Sequence, residues 1–349
     1  MNAEPARIVV RPPNWLGDAV MALPALAAVR RQFPRAHLTV AAVPAVASIF
    51  RELTDTRPDA VIDLGLSSRV ATATLEGEGF DLGILFPNSF RSAWQFWRAG
   101  IGERWGYGRS ARRFLLTRLS RPPHDTGEVH QADYYRRLVI GLGIECGADE
   151  EPRITPRPSS VERANALLVA QGVSPGMTLV GLAPGAAYGT AKQWLPERVA
   201  KVAARLIASH DATCVIVGAS HDREPARAIE SWFRANAPAL SSRLVNLTGR
   251  TSLRTLVGVI GRTSLFVAND SGAMHLAAAL GRPVVAVFGP TNERVTRPLG
   301  GHRVLTASVF CRPCMLRDCP IDHRCMKRVT SDAVYAAAAD ALAGTVDVA

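Results

Sequence analysis

The stretch Ser264-Leu-Phe-Val-Ala-Asn-Asp-Ser-Gly-Ala-Met-His-Leu-Ala-Ala-Ala-Leu-Gly281, followed by Arg282-Pro-Val-Val-Ala-Val-Phe-Gly-Pro290, decides the fold. Residues 265–268 are an apolar run suited to a strand covered on both faces. Asn269, Asp270 and Ser271 are turn and N-cap types. Residues 274–280, rich in Ala and Leu, predict a helix that Gly281 stops, and residues 283–288 predict the next strand. A βαβ unit of this kind brings the strand's C-terminal end and the helix N-terminus to one sheet edge. Unpaired N–H groups and the positive end of the helix dipole collect there, which suits a phosphate. Gly272 allows a ligand close to the backbone, and His275, one turn into the helix, can face the same ligand. An ordinary βαβ turn with a capping Asp has the same local pattern, so the rest of the chain must decide.

Working outward, the alternation continues on both sides. Residues 178–183, 213–217 and 244–247 read as strands, with helices at 196–209, after 218–224 and at 252–260. The first half repeats the scheme: strands at 7–11, 38–43, 60–64 and 80–86, helices at 19–33 and 44–53. This implies an α/β fold of two Rossmann-like domains facing a cleft, each with a parallel, doubly wound sheet. Ligands in such sheets sit at the C-terminal edge of the strands. The Pro-rich residues 150–160 are the linker candidate. The expected domains are 1–172 and 173–349. A final Ala-rich helix at 331–344, capped by Ser331 or Asp332, has the option of packing back on the first domain.

Several side chains fall on these edges. Asp18 follows the first strand at a helix start; it reads either as a dipole-stabilised first-turn carboxylate or as a general base. Residues 185–192, including Gly185 and Ala186, form a small-residue loop that ends in Lys192. The Walker spacing is absent, but N–H groups and an ammonium fit a diphosphate; a surface loop with a solvated lysine is the other reading. Glu224 could hold ribose hydroxyls or simply occupy a first helical turn. Residues 91–121 carry eight arginines, among them Arg109, Arg112 and Arg113, against one acid, with Trp and Tyr interleaved. Such a segment grips a phosphorylated or sugar-rich partner, binds single-stranded nucleic acid, or is a solvated face. Cys311, Cys314, Cys319 and Cys325, with His323, have spacing that brings zinc to mind, although a reduced packed loop fits as well.

Composition sets limits. The chain has 349 residues, room for two domains, and only 20% are charged, which argues against bulk disorder. Lys plus Arg exceeds Asp plus Glu by 41 − 30 = 11, which points to anionic partners. Six cysteines in such a chain do not suggest a disulfide framework. No secretory leader or membrane span is read, so a cytoplasmic protein is expected, with peripheral contact to the inner face of the membrane as a further option.

Residues 11–26, the Pro184-Gly-Ala block with Lys192-Gln-Trp194, Asn269-Asp-Ser-Gly-Ala-Met-His275 and the loop 311–326 together resemble the lipopolysaccharide core heptosyltransferases of glycosyltransferase family 9, in particular the heptosyltransferase II type. The resemblance implies the two-domain glycosyltransferase B architecture, an ADP-L-glycero-D-manno-heptose donor and the heptosylated inner core of lipopolysaccharide as acceptor. It implies inversion at the anomeric centre, no cofactor, no metal in the chemistry and no nucleic acid partner. Asp18 matches the family's base and Lys192 the residue that neutralises the donor diphosphate. Asp270, Ser271, Gly272 and His275 match the donor-binding turn and helix, Glu224 the carboxylate near the ribose, and Thr251 the adenine side. Arg109, Arg112 and Arg113 are expected on the acceptor. A nucleotide-sugar epimerase on the same architecture, or a basic binder of nucleic acid or membrane, is the alternative.

Overall fold

The computed structural model describes residues 4–65, 67–124 and 127–344. It divides into two compact units, Met1–Thr155 and Pro156–Ala349. In the first, β1 (Arg7–Arg11), β2 (His37–Ala42), β4 (Ala60–Asp63), β5 (Leu82–Leu85), β6 (Glu103–Tyr107) and β7 (Arg118–Ser120) form one sheet in the order β4-β2-β1-β5-β6-β7. Every neighbouring pair is parallel. Two short strands, β3 (Leu53–Thr54) and β8 (Ile154–Thr155), pair antiparallel beside it.

In the second unit, β9 (Leu179–Ala183), β10 (Thr213–Ile216), β11 (Leu244–Asn246), β12 (Leu265–Asn269), β13 (Val284–Val287) and β14 (Arg303–Leu305) take the order β11-β10-β9-β12-β13-β14. All five pairings are parallel. The central strands β9 and β12 are buried along their whole length, as continuous apolar runs between two helical layers must be. The α/β class and the Rossmann-like character of both units therefore stand as expected. In each sheet the strand order reverses direction beside the first strand, between β1 and β5 and again between β9 and β12. Those are the switch points where open α/β sheets bind ligands.

Some boundaries differ from the expected ones. The single helix expected at 19–33 is two, Leu16–Met21 and Leu23–Gln32, because Pro24 supplies no N–H for a continuous ladder. The break between units falls at 155 rather than 172. Helix Pro158–Val169 belongs to the second unit, lying so close on helix Leu253–Gly261 that a Cβ on Gly258 would sit 2.3 Å from the Ser160 carbonyl oxygen. The last helix, Ser331–Leu342, is capped by the Thr330 hydroxyl, which accepts from the Ala333 N–H at 3.2 Å. It packs on helix Pro196–His210 of its own unit, where the Arg205 guanidinium lies 3.8 Å from the Tyr335 ring centroid and pairs with Asp332 at 2.5 Å. Among the described residues, no helix is long and apolar enough to cross a membrane.

Candidate functional site

The second unit gathers its polar residues at the switch point. Residues 184–194 leave β9, and residues 269–272 leave the adjacent β12. Asn269, 2% exposed, ties the two together. Its amide donates to the carbonyls of Pro184 at 2.6 Å and Gly185 at 3.3 Å, and its oxygen accepts from the Trp194 N–H at 3.1 Å. Trp194 is buried, and its indole donates to the Val329 carbonyl at 3.1 Å. The loop is thus pinned at both ends.

Between those pins stands Lys192. Its ammonium donates to Asp270 Oδ2 at 2.6 Å, and the Thr291 hydroxyl donates to the same oxygen at 2.7 Å. The Tyr188 ring lies 4.8 Å from Lys192 Nζ on another side. The lysine side chain is 13% exposed and that of Asp270 5%. An ammonium carries three donors, so pairing with Asp270 leaves capacity for an anion. Helix Gly272–Ala279 starts directly after Ser271, which takes the N-cap position with an extended backbone. Ser271 is a cap type by sequence, but its buried hydroxyl makes no capping bond and has no hydrogen-bond partner among the described residues. His275, on the first turn of that helix, is buried at 5% exposure. Lys192, Asp270, Ser271, Gly272 and His275 therefore come together, with Gly185 and the buried Ala186 in the loop beside them.

Glu224 and Thr251 lie further along the same edge, after β10 and β11. Glu224 is exposed on the first turn of helix Arg223–Asn236, and Thr251 is half-buried. The carboxylate that is tucked against the sheet edge is Asp222, which sequence reasoning missed. It accepts from the Ala219 N–H at 2.8 Å, and a Cβ on Gly185 would sit 2.0 Å from its Oδ1. Gly185 is small because Asp222 is there. The signal available was a second carboxylate in the same turn as Glu224.

In the first unit, Asp18 is the third residue of helix Leu16–Met21, beyond the end of β1 at that sheet's switch point. The Tyr135 hydroxyl donates to Asp18 Oδ1 at 3.0 Å. Burial, and then the Asp18 charge, push the Tyr135 phenol well above its usual range, so it stays a donor. Tyr135 is 117 residues away in sequence, and no local pattern announces it.

The basic segment divides. Arg109 and Arg113 are exposed, Arg113 lying 4.8 Å from the exposed Phe114 ring. Arg112 is turned inward, which corrects its expected place on an acceptor surface. Its side chain is 1% exposed and donates to the Pro87 carbonyl, and burial brings its pKa down to about 10. The reason is Gly106 on β6, whose missing side chain leaves the space: a Cβ there would sit 2.8 Å from Arg112 Nη2.

All six cysteines are free thiols. Among the described residues, no group of three or more His, Cys, Asp or Glu is placed to hold a metal ion.

The profile of glycosyltransferase family 9 (heptosyltransferase) matches residues 69–324. Lipooligosaccharide heptosyltransferase 2 of Haemophilus influenzae is 30% identical over 308 residues, 84% of this chain and 86% of that protein. Lipopolysaccharide heptosyltransferase 2 of Escherichia coli K12 is 28% identical over 302 residues, 84% and 85% of the two chains. Among solved structures, E. coli ADP-heptose LPS heptosyltransferase II superposes with a TM-score of 0.83 at 24% identity, covering 97% of this chain and 99% of that one. E. coli heptosyltransferase WaaC with ADP gives 0.66 at 18%, covering 94% and 95%. This chain belongs to glycosyltransferase family 9, the heptosyltransferases.

Proposed function

We propose that this heptosyltransferase moves L-glycero-D-manno-heptose from ADP-heptose to the heptosylated inner core of lipopolysaccharide, with inversion at the anomeric carbon. The observation that carries the reading is Lys192, a cation paired with Asp270, which Thr291 in turn holds, beside a helix N-terminus at the switch point of the second sheet. A leaving diphosphate needs that kind of charge. The printed names of the relatives, heptosyltransferase 2 of lipooligosaccharide and lipopolysaccharide, support the acceptor class, and a WaaC structure with ADP supports the nucleotide.

The chemistry follows from the residues. An acceptor hydroxyl attacks the anomeric carbon as the bond from that carbon to the phosphate oxygen breaks. The hydroxyl proton passes to the Asp18 carboxylate, which the Tyr135 hydroxyl orients; a positioned base of this kind contributes roughly 10²–10⁴-fold. ADP departs with the electron pair, its charge met by Lys192 and the N–H groups that open helix Gly272–Ala279. Arg109 and Arg113 are assigned to the acidic acceptor, Glu224 and Thr251 to the nucleoside. The acceptor is amphiphilic, so the enzyme works at the inner face of the cytoplasmic membrane.

The test is product analysis. ADP-heptose with heptosylated core should yield ADP and an extended core of inverted anomeric configuration, and ADP-heptose alone should be left unchanged. Conversion of the donor without acceptor would replace the transferase reading with an epimerase.

A further inference from the structure

The four-cysteine loop has no part in the chemistry above, yet it is hydrogen-bonded to the donor loop through Tyr188, Thr190 and Ala191. We infer that residues 311–325 are a brace that positions Lys192; the inference rests on Lys192 facing the donor diphosphate. On one side the brace grips the residues that precede the lysine. The Tyr188 hydroxyl donates to the Met315 carbonyl at 2.8 Å, the Ala191 N–H to the Arg317 carbonyl at 2.8 Å, and the Thr190 hydroxyl to Asp318 Oδ1 at 2.6 Å. His323 Nε2 lies 2.7 Å from the Ala191 carbonyl, and since a carbonyl only accepts, this nitrogen carries the proton. Gly189 lets the two backbones meet: a Cβ there would be 2.3 Å from the Arg317 carbonyl oxygen. The Arg317 guanidinium lies 5.2 Å from the Tyr188 ring that also neighbours Lys192.

On its other side the same loop fixes the lysine's partner. The Met315 N–H donates to the Pro290 carbonyl at 2.9 Å, and the Arg312 guanidinium to the carbonyls of Gly289 at 2.6 Å and Thr291 at 3.1 Å. Thr291 is the residue that holds Asp270. One loop thus sets both the approach to Lys192 and the carboxylate that aims it. Met315 and His323 sit at φ +56° and +60°, a region that non-glycine residues seldom take and that surrounding contacts must enforce. Two of the thiols support these contacts or lie beneath the loop: Cys319 Sγ accepts from the His323 N–H at 3.2 Å, and Cys325 is buried.

The experiment is steady-state kinetics on the double variant His323→Gly, Asp318→Ala, beside ADP affinity by calorimetry. Glycine relieves the φ at position 323 while removing the imidazole, so a merely structural histidine predicts a variant of undiminished function. Positioning predicts a donor KM and an ADP Kd raised about 10-fold, with acceptor KM unchanged. His323→Gln, which returns an N–H donor, should restore most of that loss. In a Lys192→Ala background the same double change should move donor KM less than about 2-fold, because its effect runs through the lysine. Should the double variant fail to fold, Thr190→Val, which removes the bond to Asp318 alone, should still raise donor KM about 3- to 5-fold. Unchanged donor KM in the folded variants, or an equal rise in the Lys192→Ala background, overturns the brace while leaving the Lys192 reading intact. Unchanged donor KM in Lys192→Ala itself overturns both.

Discussion

Lys192 and Asp270 form a partly buried ion pair whose contribution is set by what happens when one partner is lost. The carboxylate also receives the Thr291 hydroxyl, so two of its contacts are charge-assisted or short. Removing Asp270 strands a cation that is 13% exposed, and Asp270→Ala should cost roughly 3–5 kcal/mol in denaturant unfolding. Thr291→Val removes one hydrogen bond and should cost about 1 kcal/mol while raising donor KM. In the other unit Tyr135 makes a pH prediction. Its folded pKa is raised, so its share of stability is whole below about pH 10, where a tyrosine of the unfolded chain starts to ionise, and is lost as pH rises beyond that. Tyr135→Phe should therefore lose less stability than wild type between about pH 10 and 11.5 in thermal melts, and should lower kcat by removing the hydroxyl that orients Asp18 Oδ1. A steeper alkaline loss in the variant would contradict the assignment. Asp18→Asn should keep ADP binding and lose turnover; near-normal turnover would remove Asp18 from the base role.

At the scale of elements, what the amino-acid pattern reveals is position along the chain, and what it hides is what meets across it. The strand-turn-helix at 265–279 is legible because an apolar run, an Asn-Asp-Ser turn and an Ala-rich stretch each have a local cause. Lys192 is legible for the same reason, as the cation closing a small-residue loop after a strand. Thr291 and Tyr135 are not, since each acts through a partner fixed only when strands take their order in the sheet, and the approach of Asp222 to Gly185 is set in the same way. Arg112 shows the limit most plainly: its neighbours Arg109 and Arg113 are exposed, and only the gap above Gly106 turns it inward. The basic element makes a prediction that separates these roles. Arg109→Glu with Arg113→Glu should raise acceptor KM roughly 10-fold with stability and ADP affinity unchanged, as loss of favourable phosphate contacts would. Arg112→Ala should instead lower the unfolding midpoint, because the Pro87 carbonyl loses its buried donor. Acceptor KM responding to Arg112→Ala alone, at full stability, would reverse the division.

At the scale of the molecule, each unit repeats one plan. Six parallel strands reverse order beside the first, and the residues assigned to chemistry stand at that reversal, Asp18 beyond β1 and Lys192 with Asp270 beyond β9 and β12. The alternation of strands and helices makes this plan readable in advance, because parallel strands need crossovers and crossovers need amphipathic helices. The boundary between units was less legible: prolines at 152, 156 and 158 mark a break, but the helix that follows them packs forward, on helix Leu253–Gly261. The account as a whole turns on where the donor's phosphates rest, and a crystal structure of the enzyme with ADP answers that directly. The diphosphate should lie within hydrogen-bond distance of Lys192 Nζ and of the N–H groups at Ser271 and Gly272. Phosphates bound elsewhere, with Lys192 still paired to Asp270 alone, would contradict it.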